Sequence, residues 1–174
     1  MKCFIAGWIV VVSLLEGGVA MAMELKSPAF QNGGVIPKRY TGEGPDVSPP
    51  FVWSGEPAGT RSFALICDDP DAPGKTWVHW VLYGIPPPAH ALKEGIPKQG
   101  VLADGMLQGK TDFGDVGYGG PMPPPGKPHR YMFKLYALDT VLSLKPGITK
   151  ADLLKAIDGH VLKESLLMGT YQRK

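Results

Sequence analysis

Apolar residues in this chain fall into short runs and alternating stretches, a pattern that predicts β-strands rather than long helices. The two clearest runs are RSFALIC at Arg61–Cys67 and WVHWVLYGI at Trp77–Ile85. Shorter strands are predicted at Phe51–Trp53 and at His160–Tyr171. A further strand, Tyr131–Leu138, places alternate apolar side chains on one face: Tyr131, Phe133, Leu135 and Ala137.

His79 is a polar residue within one of the two most apolar strands. Strict alternation puts it on one face with Trp77, Val81 and Tyr83, and it puts Val78, Trp80 and Leu82 on the other. The ordinary interpretation is a core histidine whose ring bonds a backbone carbonyl. Only its neighbours in the fold decide whether it has a function.

A single helix is predicted near the C-terminus. Thr149 followed by Asp152 is typical of a helix start, apolar residues follow at helical spacing, and Gly159 ends the pattern. Elsewhere the 23 glycines and 18 prolines break the chain often. Asp68–Gly74 is predicted to be a tight turn rich in carboxylates, and Gly100–Gly117 a loop.

Length and composition favour one globular domain with a sizeable core. The chain has 174 residues, of which 44% are hydrophobic and 20% charged. A formal net charge of +2 gives no electrostatic reason to expect binding to nucleic acid or to an anionic membrane.

The first 22 residues are predicted to be a signal peptide. Lys2 precedes the apolar stretch Phe4–Leu15, and Ala20–Ala22 matches the small-x-small cleavage pattern. An uncleaved anchor is the alternative, but the apolar stretch is shorter than a bilayer requires. Cleavage near Ala22 predicts a periplasmic or secreted domain, residues 23–174, that is not inserted in a membrane and holds Cys67 as its one cysteine, a small buried residue.

The loop Gly117–Tyr131, GYGGPMPPPGKPHRY, is built to hold polar groups still. Glycine lets a ligand approach the main chain closely, proline restricts the backbone, and the following strand supports His129. These properties suit a small anion pocket.

Three other motifs carry no prediction. Gly74-Lys75-Thr76 lacks the earlier glycine of a P-loop, because Asp69 stands there. Asp112-Phe113-Gly114 has no kinase catalytic loop before it, and its match is interpreted as chance. No GxSxG motif supports a serine hydrolase.

Three blocks in order, DDPDAP, WVHW and GYGGPMPPPGKPHRY, resemble the phosphatidylethanolamine-binding proteins, in particular the bacterial Raf-kinase-inhibitor-like branch. The resemblance covers nearly all of the chain after the predicted signal peptide. It implies a mainly β fold of one domain, a Greek-key β-sandwich with a few short peripheral helices and a small pocket at one end of a sheet.

The resemblance also implies the residues of that pocket. The acidic residue of the family's pocket corresponds to Asp69, and its two histidines correspond to His79 and His129. Tyr131 follows the His-Arg pair, as in the family. The loop backbone contributes Gly119, Gly120 and Pro121, and the rim or support positions are Asp71, Tyr118 and Arg130. Arg130 is expected to pair with a carboxylate of the Asp-rich turn. Two departures from the branch, Thr111 and Met122, are expected to lie away from the pocket.

The chemistry of these residue types suits an anionic group. A carboxylate beside two imidazoles is expected to raise the pKa of both histidines and favour their cationic form. Glycine amides and a tyrosine hydroxyl are expected to add neutral donors. Asp69 is expected either to orient a histidine or to meet the amine of a zwitterion. The competing interpretation of two histidines and an aspartate is zinc, although the resemblance implies a site without metal or cofactor.

The sequence therefore predicts an exported, non-enzymatic binding protein for a small phosphorylated or otherwise anionic group. An alternative is a protein-interaction module that inhibits or regulates an enzyme, a kinase or a protease. A second alternative is a weak hydrolase in which His79 and His129 act as acid and base.

Overall fold

A computed structural model of the chain describes residues 22–174. The predicted signal peptide lies outside these residues except for Ala22. Within these residues the fold contains two antiparallel sheets, one short α-helix and one turn of 3-10 helix (Lys38–Tyr40), so the predicted mainly β, single-domain architecture is confirmed. Among residues 22–174, no helix has the length and apolar character needed to cross a membrane.

The smaller sheet has three strands in the order β1-β2-β5. Its strands are β1 (Glu24–Lys26), β2 (Phe51–Ser54) and β5 (Ala91–Leu92). The larger sheet has five strands in the order β6-β4-β3-β7-β8. These are β3 (Ser62–Asp69), β4 (Trp77–Ile85), β6 (Leu107–Gln108), β7 (His129–Leu138) and β8 (Val161–Tyr171).

The larger sheet has Greek-key connectivity. Strands β3, β4 and β6 are neighbours in chain order, and β7 returns across the sheet to pair with the other edge of β3. This return places the start of β7 beside the end of β3 and the start of β4. Three chain segments that are distant in sequence therefore meet at one end of the sheet.

Both faces of the larger sheet are covered, which explains why all eight residues of β3 are buried. One face packs on the smaller sheet through aromatic residues such as Phe51, Phe63 and Phe133. The other face packs on the helix α1 (Lys150–Ile157) through Leu153 and Ile157. A strand buried on both faces has the continuous apolar sequence seen in β3.

The helix α1 begins as the sequence predicts. The side chain of Thr149 accepts a hydrogen bond from the Asp152 amide, and the Asp152 carboxylate accepts one from the Thr149 amide. This capping box satisfies two donors of the first turn. Gly159 follows the helix with a φ of 75°, a conformation that glycine adopts without steric strain.

Candidate functional site

The ends of three neighbouring strands bring four of the predicted site residues together. Asp69 is the last residue of β3, His79 lies near the start of β4, and His129 and Tyr131 lie at the start of β7. All four line a cavity of about 320 Å³. The cavity exists because β3 pairs with β4 on one side and with β7 on the other.

A β-bulge at His79 aims this residue at the cavity. Cys67 of β3 pairs with Trp80, yet Asp68 pairs with Val78, so His79 is an extra residue in β4. Its ring packs edge-on against Tyr131, with ring centres 5.1 Å apart. The prediction that His79 shares a face with Val81 and Tyr83 is therefore wrong: Val78, Val81 and Tyr83 pack together on the helix side.

Asp68 and Asp69 belong to β3, so the prediction that the turn begins at Asp68 is wrong. Alternation along the strand sends the two carboxylates to opposite faces of the sheet. The Asp68 carboxylate pairs with Lys150 of α1 and with Lys134, whose Nζ is 3.7 Å away. The Asp69 carboxylate lies on the side of the cavity.

Asp69 and His129 form a buried pair. The His129 Nδ1–H donates to Asp69 Oδ2 at 2.7 Å, and the two side chains are only 12% and 4% exposed. The other oxygen, Asp69 Oδ1, accepts the Asp71 amide at 2.8 Å. Of the two roles expected for Asp69, this geometry matches the orientation of a histidine, and it leaves His129 Nε2 for a ligand.

Arg130 supports this arrangement from outside the cavity. Its guanidinium makes two hydrogen bonds to the Asp71 carboxylate, at 2.7 and 2.9 Å, and its backbone amide makes a third. The predicted pairing with the Asp-rich turn is thus present. The hydrogen bond from Arg130 lowers the pKa of Asp71 to about 2, and the pair fastens the turn to the start of β7.

His79 makes a different contact from His129. Its Nδ1–H donates to the Gly119 carbonyl oxygen at 2.6 Å, and the Gly119 amide donates to the His79 carbonyl at 2.8 Å. The residue is 3% exposed, and burial lowers its pKa. The expectation that a neighbouring carboxylate raises the pKa of both histidines is therefore wrong for His79, because desolvation outweighs the attraction of Asp69.

The loop residues predicted to supply donors are already engaged. The Gly120 amide donates to Asp46 Oδ1 at 2.7 Å, and the Gly119 amide is used by His79. Pro121 accepts a hydrogen bond from the Gly42 amide and is not among the residues that line the cavity. In contrast to the prediction, neither glycine amide is free for a ligand.

Tyr118, predicted as a rim or support position, is a buried support. It is 2% exposed, its hydroxyl donates to the Tyr40 carbonyl at 2.7 Å, and its ring packs edge-on against Trp80. It lines a second cavity of about 240 Å³, together with Asp46, Gly119 and Gly120.

Two buried donors belong to side chains in the wall of the 320 Å³ cavity. The Tyr131 hydroxyl and the Trp77 Nε1–H are both buried, and neither has a hydrogen-bond partner within residues 22–174. Both side chains line the cavity. Burial raises the pKa of Tyr131 far above its usual range, so the hydroxyl keeps its proton. An unpaired buried donor is costly and rare, which makes a bound acceptor the natural partner.

Sequence reasoning did not assign several residues of the cavity wall. Trp77 precedes His79 by two residues on the same strand, a spacing that indicates a shared face. Phe113, from the motif interpreted as chance, packs edge-on against His79 at 5.2 Å and against Trp77 at 5.5 Å. Met122 lines both cavities, so the expectation that it lies away from the pocket is wrong. The wall is completed by Ala72, Pro73, Pro123 and Pro124.

The part of the chain that the structure describes contains no set of metal ligands. Within residues 22–174, no three His, Cys, Asp or Glu side chains are grouped so that they hold a metal ion. In the cavity, Nδ1 of each histidine is already bonded to a protein oxygen.

Comparison with known proteins gives consistent matches over most of the chain. A family model described as phosphatidylethanolamine-binding protein matches residues 26–172. A UPF0098 protein of Methanothermobacter thermautotrophicus is 55% identical over 151 residues, which cover 87% of this chain and 99% of the relative. A UPF0098 protein of Pyrococcus horikoshii is 47% identical, with coverages of 91% and 81%.

Two solved structures also match most of this chain. A phosphatidylethanolamine-binding protein homologue from Chlamydia trachomatis superposes with a TM-score of 0.80 at 41% identity, covering 88% of this chain and 99% of the homologue. YbcL of Escherichia coli, described as a new member of the mammalian family of these proteins, gives a TM-score of 0.83 at 32% identity, with coverages of 88% and 100%.

Proposed function

Because the chain belongs to the phosphatidylethanolamine-binding protein family, we propose that it is a binding protein whose cavity takes a small phosphorylated or otherwise anionic group. One observation carries this proposal. The oriented His129 and the side chains of two buried donors that are unpaired within residues 22–174, Tyr131 Oη–H and Trp77 Nε1–H, line the same cavity.

The geometry suits an anion with several acceptor oxygens. In the proposed complex, the Asp69 carboxylate accepts the Nδ1–H of His129 and the ligand accepts the Nε2–H of the same ring. The Tyr131 and Trp77 donors satisfy further oxygens without adding charge. A tetrahedral phosphate presents acceptors in several directions, as this arrangement requires.

Calorimetric titration with inorganic phosphate and with phosphoethanolamine tests the proposal. His129→Ala and Asp69→Ala are each expected to weaken binding at least about tenfold, because each removes or misorients the charged donor. His160→Ala is the matched control. It breaks a second His–Asp pair, with Asp139 at 2.8 Å, whose side chains are 48% and 45% exposed and lie outside the cavity. Unchanged affinity in both cavity variants contradicts the proposal.

A second candidate function is a docking surface for a protein, as in an inhibitor of an enzyme. Phe113 and Met122 are large apolar side chains on the cavity rim, yet they are 46% and 51% exposed. Apolar exposure of this kind is a feature of interaction sites. A stoichiometric partner that is captured by His129→Ala but not by Phe113→Ser supports this function. Capture that depends on His129 instead contradicts it.

We also propose that the domain is exported, on the strength of the signal-peptide pattern at residues 1–22. N-terminal sequencing of the protein from its native cell is expected to begin near Met23. A sequence that begins at Met1 in secreted material contradicts the proposal.

A further inference from the structure

Asp46 has an unusual backbone conformation beside the site. Its φ is 56°, and it is the one residue other than glycine with a positive φ in residues 22–174. Aspartate tolerates this left-handed conformation at some cost, and such residues are frequently held in place for a function. Asp46 lies in the loop before β2, remote in sequence from every residue of the cavity wall.

The Asp46 carboxylate holds the loop that contacts His79. Oδ1 accepts the Gly120 amide at 2.7 Å, and Oδ2 accepts Lys98 Nζ at 2.6 Å. A Cβ on Gly120 would lie only 2.5 Å from Asp46 Oδ1, so this close approach requires glycine. The next residue back, Gly119, makes two hydrogen bonds to His79. A short path of hydrogen bonds thus leads from Asp46 to the His79 ring.

The contact with Gly119 determines which nitrogen of His79 carries the proton. A carbonyl oxygen only accepts hydrogen bonds, so Nδ1 must be the protonated nitrogen. The ring is enclosed by Phe113 and Tyr131 and its Nδ1–H bonds a neutral carbonyl, whereas the nearby Asp69 carboxylate is bonded to the Nδ1–H of His129. His79 is therefore the neutral member of the pair, and its Nε2 carries a lone pair that has no partner among residues 22–174.

We propose that Asp46 is a positioning residue that holds His79 as the neutral Nδ1–H tautomer, and that the cavity therefore selects a phosphate group that still carries a proton. This inference rests on the proposed function. The P–OH of the ligand donates to His79 Nε2, and an anionic oxygen accepts from His129. The preferred ligand is the monoanion of a phosphate monoester, since a diester has no P–OH group.

Nitrogen-detected histidine NMR of the free protein tests the positioning role without any ligand. Wild-type His79 is expected to show the Nδ1–H tautomer alone. Asp46→Gly removes the carboxylate at a φ that glycine favours, and it is expected to give a mixture of tautomers. Asp46→Asn keeps an acceptor oxygen and tolerates positive φ, so it is expected to restore the wild-type spectrum. An unchanged tautomer in Asp46→Gly, or an Nε2–H tautomer in the wild type, overturns the positioning role.

Calorimetry with matched esters tests the ligand selectivity. At about pH 5.5, below the second pKa of a phosphate ester near about 6, ethyl phosphate is mainly a monoanion with one P–OH. Ethyl sulfate has the same size and charge but no proton. Wild type and Asp46→Asn are expected to prefer ethyl phosphate about tenfold, and Asp46→Gly to lose the preference. Diethyl phosphate is expected to bind like ethyl sulfate.

The outcomes separate this inference from the proposed function. Equal binding of both ethyl esters by the wild type overturns the selectivity while leaving anion binding intact. An equal loss of affinity for both esters in Asp46→Gly indicates a merely structural role and overturns the positioning claim. Wild-type protein that binds neither ester refutes the proposed function and the selectivity together, and the NMR comparison then decides the role of Asp46.

Discussion

Tyr131→Phe is expected to stabilise the free protein and to weaken ligand binding. The Tyr131 ring is completely buried, but its hydroxyl has no partner within residues 22–174. A buried hydroxyl without a hydrogen bond costs about 1–3 kcal/mol, and phenylalanine fills the same space without that cost. We therefore expect the free energy of unfolding to rise by about 1 kcal/mol, at the lower end of that range.

The same substitution removes one donor from the proposed anion site. A hydrogen bond to a charged group contributes about 1.5–3 kcal/mol, so the Kd for phosphate is expected to rise by about tenfold or more. Urea unfolding measures the first effect and calorimetric titration the second. In thermal unfolding, the expected rise of about 1 kcal/mol in the free energy of unfolding corresponds to an increase in Tm of about 2–4 °C for a domain of this size.

Tyr83→Phe is the matched control on the opposite face of the sheet. Tyr83 is equally buried, but its hydroxyl donates to the Lys145 carbonyl at 2.6 Å. Loss of this hydrogen bond in Tyr83→Phe is expected to lower the free energy of unfolding by about 1 kcal/mol and to leave the Kd for phosphate unchanged. The reasoning is refuted if Tyr131→Phe lowers stability as Tyr83→Phe does while phosphate still binds with wild-type affinity.

Three further substitutions test other parts of the structure. Gly120→Ala would place a Cβ 2.5 Å from the Tyr40 carbonyl oxygen, so urea unfolding should show a loss of about 1–3 kcal/mol, and wild-type stability would contradict the packing. Asp71→Asn tests pH dependence: pairing with Arg130 lowers the folded-state pKa of Asp71 to about 2, so its stabilisation is complete above about pH 4 and is lost as the pH falls towards 2. The stability difference between wild type and Asp71→Asn should therefore shrink over that interval in acid titrations, and a constant difference would refute the pairing. Leu153→Ala removes a fully buried side chain beneath the helix and should cost about 2–5 kcal/mol in thermal or urea unfolding, whereas a loss below about 1 kcal/mol would contradict its place in the core.

Much of the fold was predictable because its main strands carry strong local patterns. β4 has the bounds that its apolar run predicts, and β3 and β7 differ from prediction only at their ends. The residues that extend these two strands beyond the prediction share one explanation. Asp68, Asp69 and His129 are polar residues typical of turns, but pairing with neighbouring strands holds them in the sheet.

The candidate site was predictable in its residue types but not in its electrostatics. The motifs that carry the family resemblance include Asp69, His79, His129 and Tyr131, and the fold brings these four together. The charge on His79 depends on how far burial outweighs a nearby carboxylate, which no local pattern encodes. Asp46 was not selected because its contact with Gly120 joins residues 74 positions apart.

The sequence by itself determined the longer strands, the helix with its cap, and the set of chemically capable side chains, because strand alternation, capping and turn formation are interactions between near neighbours in the chain. Only the tertiary structure decided that an extra residue in β4 aims His79 at the cavity and that the two glycine amides are already bonded. It also decided that the Tyr131 hydroxyl and the Trp77 Nε1–H have no partner in the part of the chain that the structure describes. These properties depend on hydrogen bonds and burial between distant segments, and such contacts exist only after the strands have paired.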